Sequence, residues 1–208
     1  MTDIYLIRHG ETLSNQLGAY QGHSDSPLTD NGHRQASCLV NYFQGITLQQ
    51  IYCSDLGRAV TTATPLADAK KLPLNLCARL REISYDYLDG QPKAQLTIKD
   101  KQKLQRLFSA ELNYRIGNGE TLAEVQTRLF KKLNEIESEH SGQSIAVMTH
   151  GLSIVMLIKK VLHIPVDAPR MFNIHNASVC HLTFKSGKWI LQSIERNDGK
   201  VTLSKTDS

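Results

Sequence analysis

Asp3-Ile4-Tyr5-Leu6-Ile7-Arg8-His9-Gly10 decides the architecture of this chain. Four apolar, strand-forming residues run without interruption and stop at Arg8-His9-Gly10. A short, unbroken apolar run reads as a strand buried on both faces, and its polar end as a loop at the carboxyl edge of a sheet. The pattern returns at Ser144 to Thr149, which ends on His150-Gly151. Two histidines at two strand ends are the first functional signal, because open α/β sheets collect ligands at that edge.

Working outward, strands and helices alternate. Pro27-Leu28-Thr29 predicts a helix capped by Thr29 and running to about Phe43. Ile51 to Ser54 reads as a strand, with Ser54-Asp55 expected to cap the next helix, which carries Arg58 and ends near Lys70. Leu74 to Cys77 reads as a further strand, and one helix is expected between Gln95 and Ser109. Thr121-Leu122-Ala123-Glu124 fits a capping box, and Leu122, Val125, Leu129, Leu133 and Ile136 recur at helical spacing. Leu152 to Leu162 is an apolar helix closed by Pro165, and Ser178 to Phe184 with Trp189 to Ile194 forms a hairpin about Ser186-Gly187-Lys188. This alternation predicts an α/β fold with a largely parallel sheet. One domain is expected over residues 1–208, with a lid region at about 84–118 and a frayed polar tail at about 198–208.

Composition narrows the function classes. With 40% hydrophobic and 21% charged residues the chain reads as a globular protein. The net charge of +4 is mild, and no dense Lys/Arg run is interleaved with aromatics, so nucleic acid is not expected as a partner. Met1-Thr2-Asp3 does not open a secretory leader, and no apolar run approaches the ~20 residues of a membrane span, so a cytoplasmic location without membrane partners is expected. Cys38, Cys53, Cys77 and Cys180 are dispersed without a C-x-x-C pair, so they are expected to be reduced, mostly buried thiols rather than zinc ligands. No metal is expected.

The polar residues at the strand ends suit phosphoryl transfer. Such a site must neutralise a dianion, supply a nucleophile and protonate the leaving oxygen. A neutral His9 imidazole can attack phosphorus. Arg8 and Arg58 offer forked donors matched to phosphate oxygens. His150 can add a hydrogen bond, Glu82 can serve as acid and then base, and Gly10 and Gly151 allow close backbone approach. The two arginines should lower the proton affinity of His9 by charge repulsion.

Leu6-Ile7-Arg8-His9-Gly10-Glu11-Thr12 resembles the signature of the histidine phosphatase superfamily, which includes phosphoglycerate mutases and alpha-ribazole phosphatases. Further blocks follow in the family's order: Asn15, Gln21-Gly22, Pro27-Leu28-Thr29, Ser54-Asp55-Leu56-Gly57-Arg58-Ala59, Leu80-Arg81-Glu82-Ile83, Gly119-Glu120-Thr121 and Thr149-His150-Gly151. The resemblance implies a three-layer α/β/α sandwich of the phosphoglycerate mutase-like kind with a small lid insertion. It implies that His9 is phosphorylated, that Arg8, Arg58 and His150 bind the phosphoryl group, and that Asn15, Gly151 and the Gln21-Gly22 backbone assist. It implies Glu82 as general acid/base and no cofactor. Two stretches depart from the family: Tyr85-Asp86-Tyr87-Leu88-Asp89-Gly90, where Tyr87 is expected to stand for the usual aromatic, and Tyr20-Gln21, which lacks a basic residue. Of the remaining histidines, His23 is the expected exception to a structural role, because it borders Gln21-Gly22.

The resulting expectation is a phosphomonoesterase acting on a small anionic phosphorylated metabolite. A cofactor-dependent phosphoglycerate mutase is the alternative, and a non-catalytic phosphate-binding scaffold is a third reading. The stretch between Glu82 and Gly119 is short and holds no adjacent arginine pair, which favours the phosphatase. Residues 91–118 carry six cationic and two anionic side chains, either a solvated face or a lid that attracts anions.

Overall fold

The computed structural model describes residues 1–109, 111, 113–169 and 172–197. The tail expected to fray lies outside the described residues. Strand β1 (Thr2–Arg8) sits inside a six-stranded sheet. On one side it pairs in parallel with β6 (Ser144–Thr149), beyond which lie β3 (Gln50–Cys53) and β4 (Leu74–Leu76), also parallel. On the other side it pairs antiparallel with β7 (Val179–Lys185), which forms a hairpin with the edge strand β8 (Lys188–Glu195). Ser186 and Gly187 both take positive φ, 51° and 76°, as a tight two-residue hairpin loop requires.

The apolar run of β1 is split between two cores by the strand's alternation. Ile4 and Leu6, with Ile145 and Val147 of β6, face a layer formed by α5 (Leu122–Glu139) and α6 (Gly151–Val161). Tyr5 and Ile7, with Ala146 and Met148, face α2 (Asp30–Tyr42) and α3 (Gly57–Lys70). This is the expected α/β/α sandwich. The stripe read from the sequence of α5 is fully buried, and truncating a residue such as Leu129 to Ala would cost about 2–5 kcal/mol. Thr121 and Glu124 make the reciprocal capping-box bonds expected of them.

Three local features differ from the sequence reading. Ser54-Asp55 does not supply the α3 cap: Asp55 is held by Arg81 at 2.6 Å, and the N-cap Leu56 has no side-chain cap. The free N–H groups of Gly57 and Arg58 donate instead to Asp25, more than thirty positions earlier in the chain. A short helix α1 (Leu13–Gln16), capped by Thr12, follows the first loop. The segment after β4 is tied to that loop by a two-residue ladder between β2 (Ala19–Tyr20) and β5 (Gln91–Pro92). Helix α4 (Ile98–Phe108) then buries Leu104 and Leu107 in the same apolar cluster as α5 and α6. Of the four free cysteines, Cys53 and Cys180 are buried as expected; Cys38 is exposed and Cys77 half-buried.

Candidate active site

The carboxyl ends of β1 and β6 bring His9 and His150 together, with ring centroids 5.2 Å apart. His9 is 3% exposed, and its Nδ1 lies 2.8 Å from the Gly10 carbonyl. A carbonyl only accepts, so Nδ1 carries the proton and Nε2 keeps its lone pair. Burial holds this imidazole well below the ordinary histidine value, and Arg58 and then Arg8 add to the shift. The direction matches the expectation, but the larger cause is desolvation rather than the arginine charges. His150 is fully buried, with Nε2 2.8 Å from Ser54 Oγ, and is likewise held low by burial first and Arg58 second.

Arg58 reaches the same place from the first turn of α3, 2% exposed. Its Nη atoms donate to the carbonyls of Ser24 and Gly22 at 2.8 Å, and Asp25 lies 3.4 Å away. Burial lowers its proton affinity, while Glu82 and Asp25 oppose that. Gly22 has φ +52°, and a Cβ there would strike the Asp89 carboxylate. Its carbonyl thus reaches Arg58 in a backbone conformation that favours glycine. Arg8 donates to the Ile174 carbonyl, and its guanidinium lies against Gly151, where a Cβ would come within 3.2 Å of Nε. Gly10, expected to let the backbone approach phosphate, is not among the cavity-lining residues, and packing demands a glycine there because a Cβ would sit 2.7 Å from the Gly32 carbonyl.

Glu82 lines the same cavity and also closes a helix end. Its carboxylate accepts the N–H groups of Leu152 and Ser153 at 3.0 and 3.1 Å, and the Ser153 hydroxyl at 3.1 Å. These are donors that the first turn of α6 cannot satisfy internally. Its backbone carbonyl is clamped by His23 Nε2 and Arg128 Nη2, each at 2.9 Å. Arg128 also gathers the Arg79 and Arg81 carbonyls and pairs with Glu120. Sequence reasoning missed Arg128, which reads there as one more charged residue on an amphipathic helix. His23 does not line the cavity; it steadies the Glu82 backbone.

Asn15 Oδ1 accepts from Thr12 N and Asn176 Nδ2, which leaves its amide N–H groups as donors toward the cavity it lines. Gln21 is buried beside Thr12, with Oε1 3.1 Å from the Thr12 hydroxyl. Arg8, His9, Asn15, Gln21, Gly22, Arg58, Glu82 and Gly151 form one end of a cavity of about 590 Å³, whereas His150, fully buried beside His9, is not part of its lining. The other end is walled by Tyr20, Tyr85, Phe108, Leu122, Leu152, Val155 and Met156, with Lys93 and Lys159 as its cations. Tyr87 is not the aromatic of this wall. It is half exposed and bonded to Asp100 and Lys103, whereas Tyr85 faces the cavity. Of the six cations in residues 91–118 only Lys93 lines the cavity; Arg106 and Arg115 are paired with Glu111 and Glu124. Among the described residues no cluster of three or more His, Cys, Asp or Glu could hold a metal ion, and no helix is long and apolar enough to cross a membrane.

Fold and site define a class: an α/β sandwich whose sheet edge presents one imidazole and two guanidinium groups to one cavity, with a second, fully buried imidazole packed beside the first. The family model of the histidine phosphatase superfamily (branch 1) matches residues 4–197, and the chain belongs to that family. It is 32% identical over 190 residues to "Probable phosphoglycerate mutase GpmB" of Yersinia pestis, covering 91% of this chain and 88% of the relative. Among solved structures it is similar to YhfR of Bacillus stearothermophilus, with TM-score 0.87, 28% identity and coverage of 97% and 98% of the two chains. It is also similar to the phosphoserine phosphatase of Entamoeba histolytica, solved with phosphoserine, with TM-score 0.85, 26% identity and coverage of 95% and 98%.

Proposed function

We propose that the protein is a phosphomonoesterase that transfers the phosphoryl group of a small ester to His9 and then to water. The observation that carries this reading is the His9 tautomer: Nδ1 is spent on the Gly10 carbonyl, so Nε2 is a free nucleophile. In the first step Nε2 forms the P–N bond as the P–O bond of the ester breaks. Arg8 and Arg58 balance the charge on the phosphoryl oxygens, with His150, Asn15 and the Gly151 backbone binding as uncharged hydrogen-bond donors. Glu82 protonates the departing oxygen, then takes a proton from the water that cleaves the P–N bond. Gln21 and Gly22 shape the rim, and the step needs no cofactor.

The similarity to proteins named phosphoglycerate mutase supports a second reading, in which the phosphoryl group returns to an acceptor hydroxyl. The cavity favours hydrolysis, because the lid arginines that could hold a second phosphate are engaged with Glu111 and Glu124. Incubation with a ³²P-labelled ester and an alkaline denaturing quench should trap label that His9→Ala lacks, with inorganic phosphate as the product. Interconversion of 2- and 3-phosphoglycerate without phosphate release would establish the mutase instead. Absence of both would leave the scaffold reading.

A further inference from the structure

One face of α6 forms a continuous wall of the cavity. Gly151, Val155 and Lys159 are spaced i, i+4, i+8, with Leu152 and Met156 beside them. At 1.5 Å per residue, Lys159 stands about 12 Å along the axis from the phosphate end. It is 3% exposed, and no carboxylate lies within 4.0 Å of it among the described residues. Its Nζ donates to the Val166 carbonyl at 2.8 Å and to the Ala168 carbonyl. An ammonium has three donors, and these carbonyls take two. Lys93, the other cation of this end, is exposed and stands 5.0 Å from the Tyr20 ring, so water screens it. Asp167, in the same turn, attracts the Lys159 charge from beyond ion-pair distance. Among the described residues Lys159 is therefore a buried positive charge facing a ligand cavity without a carboxylate in direct contact, and such charges favour a counter-ion.

We propose that Lys159 binds a carboxylate on the leaving group, so that the substrate is an elongated phosphomonoester: phosphate at the His9 end, an apolar body against Leu152, Val155 and Met156, and a carboxylate roughly 10 Å away. A carboxylate rather than a second phosphate fits, because one remaining donor suits a monoanion and leaves a dianion under-coordinated. Burial lowers the proton affinity of Lys159 more than the Asp167 charge raises it, and an arriving anion would add to the Asp167 effect. The inference rests on the phosphatase reading of the same cavity.

The test uses non-hydrolysable phosphonates, with calorimetric binding as readout. An alkylphosphonate ending in a carboxylate about eight methylenes away, spanning roughly 10 Å, is compared with its methyl ester. The intact protein should bind the acid about tenfold more tightly than the ester, and Lys159→Met should abolish that preference while holding the ester within about twofold. An analogue with about two methylenes should show no dependence on Lys159. Equal affinity of acid and ester for the intact protein would overturn the inference. So would a Lys159→Met variant that loses both ligands alike, since that would make Lys159 only a strut for the turn at Val166 and Ala168. Should that variant not fold, the comparison in the intact protein decides alone. Hydrolysis of p-nitrophenyl phosphate by the same preparation reports separately on the phosphatase reading. Hydrolysis without acid preference sinks the Lys159 site alone, and acid preference without hydrolysis sinks the phosphatase reading and leaves the binding site.

Discussion

Removing the Asp25 carboxylate should loosen α3 and Arg58 together. One carboxylate oxygen accepts the Gly57 N–H; the other accepts the Arg58 N–H at 3.1 Å and lies 3.4 Å from the Arg58 guanidinium. A lost N-cap costs about 0.5–2 kcal/mol. The ion pair adds less than about 1 kcal/mol, because the Asp25 side chain is 42% exposed and water screens it. Asp25→Ala should therefore lower stability by about 1.5 kcal/mol, or roughly 3–6 °C in melting temperature for a chain of this size. Asp25→Asn keeps an acceptor oxygen and loses only the charge, so it should fall between. Urea unfolding gives the stabilities, with the m-value unchanged if only the native state is affected. Arg58 keeps its bonds to Ser24 and Gly22, so inhibition by inorganic phosphate should weaken by only about threefold. An unchanged urea midpoint for Asp25→Ala would refute the reasoning, as would an Asn variant as damaged as the Ala variant.

The two buried imidazoles give a pH signature. Both have folded proton affinities held below the unfolded value, so their contribution to stability is complete above about pH 6.5 and is lost as pH falls below it. Urea midpoints should drop on acidification, and His150→Gln should flatten that slope by up to about 1.4 kcal/mol per pH unit. Glu82→Gln should cut kcat by about 10²–10⁴ for alkyl phosphates but far less for p-nitrophenyl phosphate, whose leaving group needs no proton; equal losses on both would argue against Glu82 as the acid. Gly10→Ala should destabilise by about 1–3 kcal/mol in a thermal melt, since its Cβ meets rigid backbone at Gly32 rather than a yielding side chain.

The strand–helix alternation was legible because buried parallel strands leave unbroken apolar runs, as at Ile4 to Ile7 and Ile145 to Met148. The strand-end histidines were legible for the same reason: a strand's end fixes where the following residue lies. Long-range partners were not. Nothing local in Asp25 says that it will cap a helix beginning at Gly57, and Ser54-Asp55 carries a better local signal that loses to the Arg81 ion pair. Arg128 and Lys159 were hidden because their roles depend on carbonyls brought in from other segments. Tyr85 and Tyr87 could not be separated by residue type, since the short turn Asp86–Leu88 decides which ring faces inward.

Helix α6 walls both ends of the cavity, but the remaining lining of the two ends comes from different stretches. The anion end hangs on the sheet and on the helices packed directly against it, while the far wall is completed by the α4 segment and by the turn at Ala168-Pro169. Selection can therefore retarget the enzyme by rewriting two peripheral stretches while leaving the reacting atoms untouched. A chimaera carrying a relative's versions of those stretches should inherit that relative's choice of ester and keep its own turnover chemistry.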